Sequence, residues 1–467
     1  MPSIVLEWIH YFTFFVLIYM ILLNGFYFFF TFLAFFYLRQ YMCYSPVSEL
    51  KHIFQSHFYP PVSLLVPAYN EEGTIEESVQ SLLMLHYPLF EIIVINDGSK
   101  DGTLDALISR FQLQEYPKYV SLKVPCRPIR NVYISQSHPQ LIVVDKENGG
   151  KADSLNAGMT ISRYPLFCAI DADSILEKEC LLKIVRPFMT NQHTIAAGGI
   201  VRIANGCAVS YGNVDRVAFP KGHLERFQVL EYLRSYLFGR IGLDALGCNL
   251  IISGAFGIFK KDAVVACGGY QTDSIGEDME LVVRLHRIYR EKKWPYAIAF
   301  VPDPVCWTEA PATLGMWYKQ RNRWQRGLMD TMRRHICMLL NPRYGVIGLV
   351  AMPYFFFFEM LSPIVEFFGY SVLIITWGFG VLDPTFFLLL LVVMVILGTN
   401  LSLTSLCLEE MSFKRYPRLK DVILMLGYAI LENFGYRQIY TKTRLLGIID
   451  YFIGKKHWGI MLRKGFK

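Results

Sequence analysis

Residues 91–99 read Glu-Ile-Ile-Val-Ile-Asn-Asp-Gly-Ser, an apolar run that stops abruptly at Asn96, Asp97, Gly98 and Ser99. A short β-branched run without polar alternation predicts a strand covered on both faces, as in parallel sheets. Val62 to Val66, Leu141 to Val144 and Leu166 to Ile170 repeat the pattern, and each is followed by Gly, Asn or Asp and then by a helix-like segment. Strands alternating with helices predict βαβ units, hence an α/β fold with a parallel sheet. Such sheets bind ligands beyond the carboxyl ends of their strands. The residues to weigh are therefore Asn70 and Glu71, Asp97 and Gly98, Asn148 to Lys151, and Asp171 to Asp173.

Taken singly, each has an ordinary explanation. Asn96 to Ser99 is good turn chemistry, and Asp171-Ala172-Asp173 would cap the helix expected over Glu177 to Phe188. Yet two carboxylates spaced by two at a strand end point the same way, offering hard oxygen ligands to Mg²⁺ or Mn²⁺ on a diphosphate. Lys151 follows Asn148-Gly149-Gly150 at the start of an expected helix, Ala152 to Ser162; a phosphate contact and a plain surface lysine both fit. Gly276-Glu277-Asp278-Met279-Glu280 opens another helical pattern, where acids complement the helix dipole. One of these acids would serve as a general base toward an acceptor hydroxyl, and the residues alone do not choose between Glu277 and Asp278. Gln320, Arg323 and Trp324 share one helical face; a membrane-interface belt accounts for the Arg and Trp but not for the Gln.

With 53% hydrophobic and 18% charged residues over 467 positions, the chain is too apolar for an ordinary soluble enzyme. The apolar residues gather in 8–38 and 345–408. Ile9 to Tyr37 would run roughly 43 Å as a helix, longer than a hydrocarbon core of about 30 Å and too short for two spans. No Lys or Arg precedes it and no cleavage site follows, so it is expected to remain as a tilted anchor. Arg39 and Lys51 follow it, which places the middle of the chain in the cytosol. Later spans are expected over Ser362 to Phe379 and Thr385 to Leu408, with Tyr344 to Phe358 along or obliquely in the membrane surface. Val422 to Tyr436 reads as a span or an interfacial helix, and basic residues after Lys455 favour a cytosolic end. Glu359 and Glu366, seven apart on an apolar helix, line either a polar path or the head-group level. The ten cysteines show no CxxC pair and read as reduced core residues; the +7 charge, unaccompanied by a nucleic-acid motif, points to anionic lipid.

In order along the chain stand Pro67-Ala68-Tyr69-Asn70-Glu71, Asn96-Asp97-Gly98-Ser99, Asn148-Gly149-Gly150-Lys151, Asp171-Ala172-Asp173, Ser253-Gly254-Ala255-Phe256, Gly276-Glu277-Asp278 and Gln320-Arg321-Asn322-Arg323-Trp324. This series resembles the processive, membrane-embedded family 2 glycosyltransferases, which include cellulose, chitin, hyaluronan and bacterial poly-N-acetylglucosamine synthases. The resemblance implies a GT-A-type (Rossmann-like) domain inserted between transmembrane helices. It implies that Asn70, Glu71, Asp97 and Asp171 belong to the donor-nucleotide site, Asp173 to the metal, and Lys151, Gln320 and Arg323 to the donor phosphates. Asp278 becomes the catalytic base, while Ser253, Gly254, Ala255, Phe256 and Trp324 face the acceptor. A single base implies inversion, giving a β-linked product from an α-linked donor. The acid triplet is Gly-Glu-Asp, between the Thr-Glu-Asp and Gly-Asp-Asp forms of cellulose-like and hyaluronan-like enzymes, so it does not name the sugar.

The implied partners are a UDP-sugar donor, with UDP-N-acetylglucosamine favoured over UDP-glucose, a growing glycan, the lipid bilayer, and a small accessory membrane subunit or separate export proteins; nucleic acid is not among them. The implied location is the inner or plasma membrane, multi-pass. The expected organisation is an anchor over 1–40, a cytosolic catalytic domain over 58–335, interfacial and transmembrane helices over 344–440 and a basic cytosolic tail over 441–467. Two other functions were weighed against polymerisation: a single transfer to a lipid carrier, which needs no acceptor-stacking Trp, and a silent scaffold, which needs none of the acids.

Overall fold

The computed structural model of the chain describes residues 3–44, 59–117, 122–210, 213–381 and 383–455. Lys51 and the basic residues after Lys455 lie outside them. Strand β2 (Phe90–Asn96) carries the Glu91 to Ile95 run and lies beside β1 (Val62–Ala68), which continues to β6 (Leu166–Ile170) on its other side, all parallel. On the far side of β2 stands β5 (Leu141–Lys146), also parallel. The run is apolar throughout because both faces are covered. Leu64, Val66, Ile92 and Val94 enter one core, and Leu65, Ile93 and Ile95 enter the other. Helices Ile75–Leu83 and Thr103–Phe111 fill the first side through Val79, Leu82 and Leu107; Lys151–Ile161 fills the second through Leu155 and Met159.

The sheet extends beyond the parallel unit. Its order is β3-β4-β5-β2-β1-β6-β11-β8-β12-β7, with β3 (Leu113–Glu115), β4 (Ile129–Ser135), β7 (Ile175–Leu176), β8 (Thr194–Ile203), β11 (Phe256–Lys260) and β12 (Ala297–Thr308). β11 is antiparallel to both β6 and β8, so Phe256 pairs with Ile170 and the loop before β11 returns to the carboxyl end of β6. That reversal delivers Ser253 and Gly254 to Asp171.

Helix Ser3–Tyr44 and the stretch Ile347–Gly378 are long and apolar enough to cross a membrane. The stretch expected along or obliquely in the membrane surface, Tyr344 to Phe358, runs on from Ile347 in widened turns, with a bend at Leu361, into helix Ser362–Gly378. Pro384–Leu391, Val392–Leu397 and Gly398–Ser412 follow as successive helical segments. Val422 to Tyr436 is not one element: helix Leu419–Leu431 ends in a turn at Glu432, whose buried carboxylate accepts from Arg234 and Ser402 Oγ (2.6 Å).

The expected tail is corrected for 441–452, because Tyr436–Phe452 is a helix packed on helix Leu314–Arg334. Asn322 Nδ2 donates to Asp450 (2.9 Å), and Trp317 Nε1 donates to the Tyr436 hydroxyl (3.1 Å). Two ion pairs bind the sheet domain to the later part of the chain: Arg202 meets Glu409 at 2.6 Å, fully buried, and Arg415 meets Glu177 at 3.0 Å, partly exposed. Leaving either member of the first pair alone would cost roughly 3–5 kcal/mol. The ten cysteines are free, but Cys43, Cys337 and Cys407 are exposed rather than in the core.

Candidate functional site

The carboxyl ends of β1, β2 and β6 open onto one face, and the sequence-predicted residues sit there. Asn70 has a left-handed backbone (φ 55°), which Asn tolerates, and it ties two loops together: its N–H donates to Ser99 Oγ (3.0 Å) while its Oδ1 accepts from Lys100 N (2.8 Å). Glu71 N donates to Thr103 Oγ1 (2.9 Å), and its carboxylate accepts from Thr74 Oγ1 (2.8 Å).

Asp97 is buried, and its carboxylate accepts from Gly149 N (2.9 Å), Gly150 N (2.7 Å) and Lys146 Nζ (2.7 Å). It therefore shapes the Asn148 to Gly150 loop from below. Gly150 supplies the positive φ of 87° from which helix Lys151–Ile161 starts. Sequence reasoning missed Lys146. It is completely buried between Asp97 and Asp153, 2.7 Å from each. The only signal was a lysine closing a strand that opens with four apolar residues.

Lys151 is not the exposed lysine of the ordinary explanation. Its side chain is 16% exposed and donates to Asp171 Oδ1 and to the Gly254 carbonyl (3.0 Å), with Glu277 at 3.9 Å. Burial works against the ammonium, but Asp171, Glu277 and Asp278 outweigh it and hold its pKa above the ordinary lysine value. Gly254 also donates its N–H to Asp278 Oδ2 (3.1 Å). One residue thus links the lysine, through its carbonyl, to the acid helix Glu277–Glu291, through its N–H. Ala255 and Phe256 are buried, Phe256 completely, so the Phe256 ring packs in the core and does not line an opening.

The three acids in the first turn of that helix separate clearly. Glu280 is locked inside by Arg284 (2.8 Å) and His335 (3.3 Å); burial would raise its carboxyl, yet these partners hold it below the usual range. Glu277 is buried, and burial is foremost in raising its carboxyl; Lys151 and Arg323 oppose the rise and Asp278 adds to it. Asp278 is the half-buried member beside the Gly254 N–H.

Helix Leu314–Arg334 brings Gln320, Arg323 and Trp324 to the same region. It crosses the start of the acid helix at a pair of glycines, where a Cβ on Gly327 would lie 3.1 Å from Gly276 Cα. A second tie comes from Asp330, which accepts from Ser274 Oγ (3.2 Å). Trp324 is 40% exposed, and the Arg321 guanidinium lies 4.1 Å from its ring centroid. Arg321 is itself buried and paired with Glu231 (2.9 Å), while its Nη1 donates to Gln320 Oε1 (2.6 Å). The glycine crossing carries a prediction. Gly327→Val pushes the two helices apart, and a displacement of about 1 Å at a reacting centre costs on the order of 10²-fold in turnover. The expected result is that loss with unchanged far-UV circular dichroism; full turnover would show that the crossing does not set the site.

The chain matches the family model described as glycosyl transferase family 2 over residues 63–261 and that of glycosyl transferase family group 2 over residues 166–402. It is 30% identical over 273 residues to the poly-beta-1,6-N-acetyl-D-glucosamine synthase of Staphylococcus epidermidis, covering 58% of this chain and 56% of that protein. For the synthase of Staphylococcus aureus (strain MSSA476) the figures are 31% over 277 residues, 58% and 56%. The match thus spans about half the length of these relatives. In architecture, a mannosyltransferase from Pyrobaculum calidifontis in complex with GDP-Man and Mn2+ superposes with a TM-score of 0.53 at 16% identity, covering 94% of this chain and 99% of that one. At that identity the likeness speaks for a shared fold.

Proposed function

Because the chain belongs to glycosyl transferase family group 2, and is thereby a glycosyltransferase with a GT-A fold, we propose that it is a membrane-associated, inverting polysaccharide synthase that extends a β-glycan from UDP-N-acetylglucosamine. The observation that carries this reading is the Asp171–Lys151–Gly254–Asp278 chain of contacts, with the helix that carries the half-exposed Trp324 crossing the start of the acid helix at Gly276 and Gly327. A donor-phosphate group and an acceptor base stand on two sides of one glycine residue, and the crossing helix supplies an aromatic platform for a sugar.

Asp278 takes the proton of the acceptor hydroxyl as its oxygen bonds to the anomeric carbon and the bond from that carbon to the UDP oxygen breaks. The configuration inverts, the electron pair leaves with UDP, and Lys151 and Arg323 lie where its growing charge is stabilised. Among the described residues no three His, Cys, Asp or Glu side chains gather to hold a metal alone. Of the two carboxylates just after β6, Asp171 is engaged by Lys151, and Asp173 would supply a hard oxygen ligand to a divalent cation on the donor diphosphate. Bound there, Mg²⁺ or Mn²⁺ would neutralise the diphosphate.

On this reading the apolar helices make the enzyme multi-pass, with its catalytic domain cytosolic. Incubating the purified protein with radiolabelled UDP-N-acetylglucosamine or UDP-glucose, with Mg²⁺ or Mn²⁺, and sizing the product tests it. Long polymer from UDP-N-acetylglucosamine is expected. Polymer from UDP-glucose alone overturns the sugar assignment, and a single added sugar on a lipid overturns polymerisation.

A further inference from the structure

The acceptor end of the site is tied to a break in a membrane helix. Proline has no N–H, so Pro363 leaves the Glu359 carbonyl without its partner four residues on. The neighbouring Met360 carbonyl is also released, because Ile364 N donates to Leu361 O (3.0 Å) instead, and Leu361 N reaches back five residues to Phe356 O (3.3 Å). A buried carbonyl without a donor is costly, and both find one in the helices below. Gln325 Nε2 donates to Met360 O (3.0 Å), and Arg444 Nη2 donates to Glu359 O. Arg444 Nε also donates to Gln325 Oε1 (2.8 Å), so one guanidinium and one amide fasten the break to helix Leu314–Arg334.

Gln325 is 2% exposed and immediately follows Trp324, whose ring is 40% exposed. Nothing in the sequence connected Arg444 to Trp324; helix Tyr436–Phe452 brings it there. Glu359, which the sequence offered to a polar path, has its carboxylate taken up in the same cluster: Tyr354 donates at 2.8 Å, Tyr27 at 3.4 Å, and Arg444 stands 3.7 Å away. Glu366 likewise accepts from Ser362 Oγ (2.8 Å) and Thr441 Oγ1.

We propose that Arg444 is a positioning residue for chain extension: with Gln325 it holds the Trp324 turn against the carbonyls that Pro363 frees, so the break sets the pose of the acceptor platform. This rests on the reading of the enzyme as a polymerase and of Trp324 as its acceptor platform. Arg444 joins helix Leu314–Arg334 through Gln325 and touches neither Lys151 nor Asp171, so its loss is expected to fall on the Trp324 turn more than on the donor end.

The test compares the full-length protein in lipid nanodiscs with Arg444→Met, Arg444→Lys and Pro363→Ala, measuring donor KM from UDP release and product length by gel sizing. Arg444→Met is expected to shorten the product by on the order of tenfold while donor KM stays within about twofold. Arg444→Lys, keeping charge but losing the fork, falls between it and the parent. Pro363→Ala restores an N–H that competes for Glu359 O and shortens the product as well, so the test stands even if Arg444→Met does not fold. Unchanged length in Arg444→Lys and Pro363→Ala, or a donor KM that rises in step with shortening, overturns the proposal. A parent enzyme that adds only one sugar overturns the polymerase reading instead, which keeps the two failures distinct.

Discussion

Asp278→Asn is expected to lower sugar transfer by on the order of 10²- to 10⁴-fold while UDP binds as before. The substitution keeps the shape of the side chain and an oxygen to accept from Gly254 N, which now stands 3.1 Å from Asp278 Oδ2. It removes only the capacity to take a proton. The neighbouring acids are less accessible to an acceptor hydroxyl. Glu280 is committed to Arg284 and His335, and Glu277 is buried beside Lys151. Radiolabel transfer and calorimetric UDP titration on the same preparation decide the matter. Undiminished transfer by Asp278→Asn would reject the assignment, and a comparable loss in Glu277→Gln alone would move the base to Glu277.

Lys151→Met is expected to reduce kcat/KM for the donor by on the order of 10²- to 10³-fold, the scale of removing one preorganised charge from a transition state. The ammonium lies between Asp171 and Glu277 and is fastened to the Gly254 carbonyl, so it stands ready before any ligand arrives. Its removal also leaves Glu277 buried without its closest cation, and the carboxyl pKa, already raised by burial, rises further. Lys151→Arg keeps the charge but not the compact geometry and recovers part of the loss. A donor titration on the folded fraction separates the two roles of the lysine. If Lys151→Met unfolds more easily yet turns over normally per folded molecule, its place is structural and the phosphate role fails.

Much of the catalytic unit was legible because each central strand is an unbroken apolar run ending in a turn. The expected Leu166 to Ile170 is the observed β6, and Val62 to Val66 and Glu91 to Ile95 are each two residues shorter than β1 and β2. The helix expected over Ala152 to Ser162 is Lys151–Ile161, displaced by one. The later helices were less legible. In an apolar stretch the hydrophobic pattern carries no phase, so it cannot show that Ile347 winds into Gly378 or that Tyr436–Phe452 folds back on helix Leu314–Arg334. Phe256 stood in a recognisable motif, but its side chain belongs to the core, because β11 alternates faces and sends that ring inward.

The sequence by itself determined the strand ends and the chemical types placed there: Asp97, Asp171 and Asp173 after buried strands, Lys151 at a helix start, Asp278 in a first turn. These follow from local rules of period and capping, which act within a few residues. Only the tertiary structure decided which of them meet. The antiparallel return of β11 puts Gly254 between Lys151 and Asp278, residues 127 positions apart in number, and the Gly276–Gly327 crossing lays the helix that carries Trp324 across the start of the acid helix. Such contacts depend on backbone approach and on burial of charges that must find partners, as Lys146 does with Asp97. No short window of sequence contains both members of such a pair.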